Sequence, residues 1–226
     1  AGPDQHVNLP FLAGKAAAAT VDVTLDGSAS HDSDGTIVSY AWSGTPDPAD
    51  TVNPAVTLGA GVHEFSLVVT DDKGAVSVAD TVTIFVNTPP VANAGPDQQL
   101  NLPQLPTKSG KAFAATVDVT LDGSGSFDSD GTIVSYYWTG STAAADPADV
   151  VRPTLTLGAG RYVFTLVVTD NNGAVSEGAV VHVTVNAPPV ANAGSDQFVD
   201  LPRAPVASDK LAAAVVNVTL DGSGSF

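Results

Sequence analysis

Two turns carry the side chains best suited to chemistry, Asp32-Ser33-Asp34-Gly35 and Asp128-Ser129-Asp130-Gly131. Carboxylates two residues apart in a turn can aim their oxygens at one point, and hard oxygen donors are what calcium takes. Magnesium fits less well, because it prefers to keep its waters. The same residues also spell an Asx-type turn, in which the carboxylates cap backbone N–H groups and Gly35 or Gly131 supplies a positive φ. Spacing alone leaves both readings open.

Composition narrows the partners. With 24 acidic against 8 basic side chains the formal charge is -16, which repels nucleic acid phosphates and an anionic membrane surface. Carboxylates gathered in loops repel one another unless a cation sits between them, so a calcium-rich exterior suits the chain. Cysteine is absent, which removes disulfides, thiolate metal sites and cysteine nucleophiles. No apolar run reaches the roughly 18 residues of a membrane-spanning helix, and no signal peptide opens the chain. The chain begins inside a motif that recurs intact further on, as a piece of a longer polypeptide would.

The elements that must position the acidic turns are repeats. Ala-Gly-x-Asp-Gln stands at Ala1, Ala94 and Ala193, and Leu-Asp-Gly-Ser follows each time with Asp26, Asp122 and Asp221. The unequal spacing places one insertion between Pro103 and Val117 and another at Ser141 to Ala145, both in loops that tolerate length change. Repeat one is expected over 1–87, repeat two over 88–186, and the N-terminal part of a third over 187–226.

Within each repeat the segments are short, β-branched and bounded by turn residues, as in Val21 to Leu25, Thr36 to Trp42, His63 to Val69 and Thr81 to Val86. Alternation of Phe65, Leu67 and Val69, and of Val82, Ile84 and Val86, predicts strands with one buried face. Tyr40 with Trp42, and Tyr136 with Trp138, are expected to anchor two cores. The Ala-rich stretch Lys15 to Thr20 is too short for a stable helix and reads as a loop or edge strand. Asn87-Thr-Pro-Pro-Val and Asn186-Ala-Pro-Pro-Val join the repeats, and paired prolines make such linkers stiff and extended.

Pro-Pro-Val-Ala-Asn-Ala-Gly-Pro-Asp-Gln, the run from Leu121 through Asp128-Ser-Asp-Gly to Trp138, and Phe164 to Gly173 together strongly resemble the polycystic-kidney-disease (PKD) domain family across the whole chain. The resemblance implies an all-β fold of tandem immunoglobulin-like, seven-stranded β-sandwiches joined by short Pro-Pro linkers. It also implies cell-surface or secreted spacer and interaction modules. Calcium-binding members of the family use aspartates of the acidic turn, an aspartate after the Val-Thr strand and an asparagine of the linker. Here these correspond to Asp32, Asp34, Asp128 and Asp130, to Asp71 and Asp170, and to Asn87 and Asn186. Only the second repeat holds the whole set. The usual Phe-Gly-Asp-Gly after the tryptophan is replaced by Trp42-Ser-Gly-Thr-Pro and Trp138-Thr-Gly-Ser-Thr, and the stretches from Leu9 to Thr20 and Leu102 to Thr116 are longer than the family's turn.

Catalysis is not expected. A catalytic residue duplicated with the fold would reappear, yet His31 faces Phe127, His63 faces Tyr162 and His182 faces Thr83, which reads as exposed strand or loop histidine. No phosphate loop, zinc spacing or nucleophile elbow is present. Asn217-Val-Thr is a glycosylation sequon at an outward strand position, where the other copies have Asp22 and Asp118. The expected function is an extracellular or cell-surface structural array, a stalk or filament-forming spacer stiffened by calcium. Its partners would be neighbouring repeats of the same or identical chains. The alternative is an accessory module of a secreted hydrolase or adhesin that binds extracellular polysaccharide or protein through Phe11, Phe113, Tyr137 or Phe198.

Overall fold

The computed structural model describes residues 1–10, 19–105, 112–113, 115–140, 146–201 and 215–225. Fourteen strands are formed among them. The first repeat supplies β1 (Gln5–Asn8), β2 (Val21–Thr24), β3 (Ile37–Ser43), β4 (Ala55–Leu58), β5 (Gly61–Asp71) and β6 (Asp80–Asn87). The second supplies β7 (Gln98–Asn101), β8 (Gln104–Leu105), β9 (Ala112–Phe113), β10 (Val117–Thr120), β11 (Ile133–Gly140), β12 (Thr154–Leu157), β13 (Gly160–Asp170) and β14 (Ala179–Asn186). Grouped by contact, the chain forms two compact units: Ala1–Gln98 with Asp118–Leu155 and Arg161–Val183, and Gln99–Val117 with Thr156–Gly160 and Thr184–Phe226. The first unit contains the whole first repeat and the acidic turn of the second.

Each repeat is an immunoglobulin-like β-sandwich of one four-stranded and one two-stranded sheet, ordered β1-β6-β5-β3 with β2-β4, and β11-β13-β14-β7 with β10-β12. The family's seven strands thus resolve into six of these per repeat, with β8-β9 as an added hairpin inside the Pro103 to Val117 insertion. β1 runs parallel to β6, whereas β5 is antiparallel to both β6 and β3. Alternation decides the faces: on β5, Phe65 and Leu67 are buried while Val62 and Glu64 are exposed. Leu25, Trp42, Leu58, Phe65 and Ile84 share the first core, and Leu121, Trp138, Leu157, Phe164 and Val183 are buried at equivalent places in the second repeat.

Both tryptophans are buried, and each indole Nε1–H reaches a carbonyl, Thr51 O at 2.9 Å for Trp42 and Val150 O at 3.0 Å for Trp138. Burial of so large a ring is favourable only if its one polar hydrogen finds such a partner. The carboxylates of Asp50 and Asp149 accept from the tryptophan backbone N–H groups, at 2.9 and 3.1 Å.

The recurring phrase Ala-Gly-x-Asp-Gln is a set of stitches. Its glycine has φ near +76°, +75° and +79° at Gly2, Gly95 and Gly194, which a side chain resists. Its aspartate accepts from an inner strand of the large sheet, β6 or β14, Thr83 N to Asp4 Oδ1 and His182 N to Asp97 Oδ1, both at 2.8 Å. Its glutamine donates to a backbone carbonyl beyond the loop, Gln5 to Thr24 O at 3.1 Å and Gln98 to Thr120 O at 2.9 Å. The third copy repeats the last stitch, Gln197 to Thr219 O at 3.0 Å.

Several expectations are corrected. Residues 187–201 and 215–225 form no strand. Asn217 is therefore exposed but not on a strand. His63 is half-buried rather than exposed, with Nε2 2.9 Å from Gly59 O. Phe11, the Ala-rich residues 15–18 and the insertion 141–145 lie outside the described residues.

Candidate functional site

The acidic turn leaves β10 and reaches β11, and β13 ends beside it at Asp170. Asp170 is 1% exposed. One of its oxygens, Oδ1, caps the β13 turn by accepting from Asn172 N at 2.9 Å and Ala174 N at 2.8 Å. The other, Oδ2, accepts from the linker side chain Asn87 Nδ2 at 2.8 Å. Asn87 is equally buried; its Nδ2 also donates to Asn8 Oδ1 at 3.0 Å, and its Oδ1 accepts from Asn172 Nδ2 at 2.8 Å. One residue on, Thr88 N donates to Asp130 Oδ2 at 2.9 Å. Val91 and Phe127 then exchange a pair of backbone hydrogen bonds, 2.8 and 3.0 Å. The linker is thereby bonded at three successive points, all within the first compact unit.

Asp128 is the strained member. Its Oδ2 is buried and has no hydrogen-bond partner. Burial foremost, and then the charges of Asp130 and Asp170, push its carboxyl above the usual value of 3.8. The capping contact of the turn is long, 3.4 Å from Asp130 N to Asp128 Oδ1. Gly131 is needed for space and not for a positive φ, which corrects the turn reading. A Cβ there would lie 2.4 Å from Asn171 Oδ1 and 2.5 Å from Asp128 Oδ2. Gly35 is confined in the same way by Asp72 and Asp32, at 2.2 and 2.5 Å.

The first repeat places Asp32, Asp34 and Asp71 alike, and Asp32 Oδ2 is again buried without a partner. Its charge balance differs. Lys73, at the position of Asn172, puts its ammonium 2.9 Å from Asp34 Oδ2 and 2.6 Å from Asp34 O. An internal cation thus already faces this turn. Sequence reasoning compared the aspartates and missed this position, although Asp71-Asp-Lys-Gly against Asp170-Asn-Asn-Gly displays it. Asn186 is exposed and bonded to Asn101 Oδ1 at 2.9 Å.

The oxygen-only donor set of the second repeat, with its crowded charge and one orphaned buried carboxylate oxygen, suits a hard cation. Among the described residues, no three His, Cys, Asp or Glu side chains converge as a metal-holding group. A cation there would draw on Asp128 first and on Asp130, Asp170 and Asn87 beside it.

Tandem immunoglobulin-like sandwiches, each with an acidic turn and the second with that turn bonded to its incoming linker, define a PKD-type repeat protein. The sequence profile of the family described as K319L-like, PKD domain, matches residues 1–86 and 94–185. The chain belongs to that family. It is 36% identical to the dyslexia-associated protein KIAA0319-like protein of Mus musculus, over 89% of this chain and 19% of that one. It is 35% identical to the dyslexia-associated protein KIAA0319 of Homo sapiens, over 99% of this chain and 21% of that one. The chain thus spans about a fifth of the length of these relatives. The solution structure of the PKD domain from KIAA 1837 protein is 31% identical, covering 47% of this chain and 92% of its own, with a TM-score of 0.33. No helix among the described residues is long and apolar enough to cross a membrane.

Proposed function

We propose that this chain is a non-catalytic segment of an extracellular or cell-surface spacer, in which sandwiches are coupled end to end through their linkers. The observation that carries the reading is Asn87, buried and hydrogen-bonded to Asn8 on one side and to Asp170 and Asn172 on the other. A linker asparagine with its amide satisfied from both repeats resists swivelling, because any rotation strands a buried polar group. The two prolines after it add stiffness of their own. The histidines support the non-catalytic reading, since His31, His63 and His182 fall at unrelated positions in the repeat and are held by different neighbours.

Calcium is the proposed stiffener of the second repeat's acidic turn, through Asp128, Asp130 and Asp170 with Asn87. In the first repeat the Lys73 ammonium takes over part of that charge balance at Asp34. Calorimetric titration of the chain with calcium, paired with small-angle scattering in chelator, tests this. Saturable binding that Asp128→Asn abolishes is expected; no heat and unchanged dimensions would remove the ion and leave the asparagine coupling standing.

A further inference from the structure

The large sheets of the two repeats turn outer faces of different character to solvent. Strand residues alternate between core and outside. On β13 the outer face is therefore Arg161 and Val163, on either side of the buried Tyr162, and on β14 it is Val180 and His182, on either side of the buried Val181. β11 adds Tyr137, next to the buried Trp138 and opposite Val167. Tyr137, Val163 and Val180 are 56%, 41% and 50% exposed, where the first repeat has Ala41, Glu64 and Thr81. In a chain with 24 acidic side chains, the outward strand positions of β11, β13 and β14 hold no carboxylate. Arg161 stands there instead, and Asp97, at the margin, is already bonded to His182.

On the first repeat the apolar and charged places are exchanged. Val62 is 68% exposed and pairs on β6 with Phe85, whose ring has the His6 ring 5.5 Å away. Two residues along β5 comes the exposed carboxylate of Glu64. Valine then acid in one repeat thus occupies the positions of arginine then valine in the other, Val62 and Glu64 against Arg161 and Val163. Both sheets have all four of their strands formed.

We propose that the outer sheet face of the second repeat docks on the outer sheet face of the first repeat of a second copy of this chain. Sheets pack face to face about 10 Å apart with their strands nearly aligned. With β13 running antiparallel to the β5 it covers, Arg161 comes over Glu64 and Val163 over Val62, while Tyr137 and Val180 extend the apolar area. The parallel arrangement sets each charge against a valine, as does pairing either face with its own kind in the antiparallel sense, and a charge buried without a partner is costly. Two copies of a chain with a formal charge of -16 repel at most of their surface, so the one carboxylate-free sheet face is where a second copy can approach. The contact uses neither Asn87 nor calcium.

Sedimentation velocity of the whole chain in chelator, over rising concentration, tests it. The expected result is concentration-dependent association that weakens with salt. Arg161→Glu and Glu64→Arg, both at exposed positions, should each weaken it by about tenfold, since either sets like charges against each other. An equimolar mixture of the two variants should associate again, because each supplies the charge that the other lacks. Tyr137→Ser should also weaken association by about tenfold, with tryptophan fluorescence unchanged as the check on folding. A monomer at every concentration would overturn the proposal, as would association indifferent to these variants or a mixture that stays monomeric. A monomer slowed by soluble polysaccharide in affinity electrophoresis, and released by Tyr137→Ser, would overturn it too by giving the face to a glycan.

Discussion

Replacing Asn87 by alanine should cost far more than the same change at Asn186, although both asparagines end the last strand of a repeat. Asn87 is 1% exposed and makes three side-chain hydrogen bonds. Its loss leaves Asp170 Oδ2 buried beside the acidic turn without a donor, a penalty of about 1–3 kcal/mol, and loses two amide pairs worth about 0.5–1 kcal/mol each. A destabilisation of about 3 kcal/mol follows. Asn186 is exposed with one amide bond to Asn101, so Asn186→Ala should cost about 0.5 kcal/mol or less. Urea unfolding measures the difference. In a Trp42→Phe background Trp138 is the remaining indole of the chain's two, and its fluorescence follows the second repeat. Hydrogen exchange at Ala174 N–H, bonded to Asp170 Oδ1, should quicken in Asn87→Ala alone. If the two variants fall within about 1 kcal/mol of each other, the linker asparagine is not a buried coupler and the reasoning fails.

Asp128→Asn should stabilise the chelator-treated chain by about 1 kcal/mol, since it removes a charge whose Oδ2 is buried and unpaired; a loss of stability in thermal unfolding would contradict this. Gly131→Ala should cost about 1–3 kcal/mol, because the new Cβ meets Asn171 Oδ1, which accepts from Thr132 N at 2.7 Å. Gly35→Ala should behave alike, and differential scanning fluorimetry reads both. Acid should destabilise the chain between pH about 4 and 2. Asp122 is held down to about 2 by hydrogen bonds from Ser124 and then by Arg152, and Asp26, Asp71 and Asp97 are lowered mainly by hydrogen bonds from Ser28, Ala75 and His182. Groups with lowered folded values stabilise above 3.8 and lose that stability as pH falls through them. Asp128, raised, opposes the trend, so the acid loss measured by urea midpoints at pH 5, 3 and 2 should be steeper in Asp128→Asn.

Much of the fold was legible because each signal was local. Alternation along Phe65, Leu67 and Val69 gave β5, and the recurrence of Tyr-x-Trp located both cores. Strand ends were less so: β5 runs from Gly61 to Asp71, beyond the expected His63 to Val69, because its ladder is set by the lengths of β3 and β6 and not by its own apolar residues. The hairpin β8-β9 went unread for a similar reason, as two-residue strands carry no period. At the acidic turn, residue types led to the right cluster but not to its wiring. A glycine after Asp-x-Asp suggests a positive φ; the structure shows instead a backbone hemmed in by two carboxyl or amide oxygens, which sequence cannot display.

The repeats differ most where they are charged. At Lys73 the first repeat has an ammonium within reach of its own acidic turn, whereas at Asn172 the second has an amide that reaches the linker. Asn87 both accepts, from Asn172, and donates, to Asn8, so neutral amides pass hydrogen bonds in series from one repeat to the next. The charge that Lys73 would have balanced is left on Asp128, Asp130 and Asp170. Positions 73 and 172 therefore set the charge that faces each acidic turn. The repeat that is bonded to its neighbour through neutral amides is also the one whose acidic turn has most to gain from a cation.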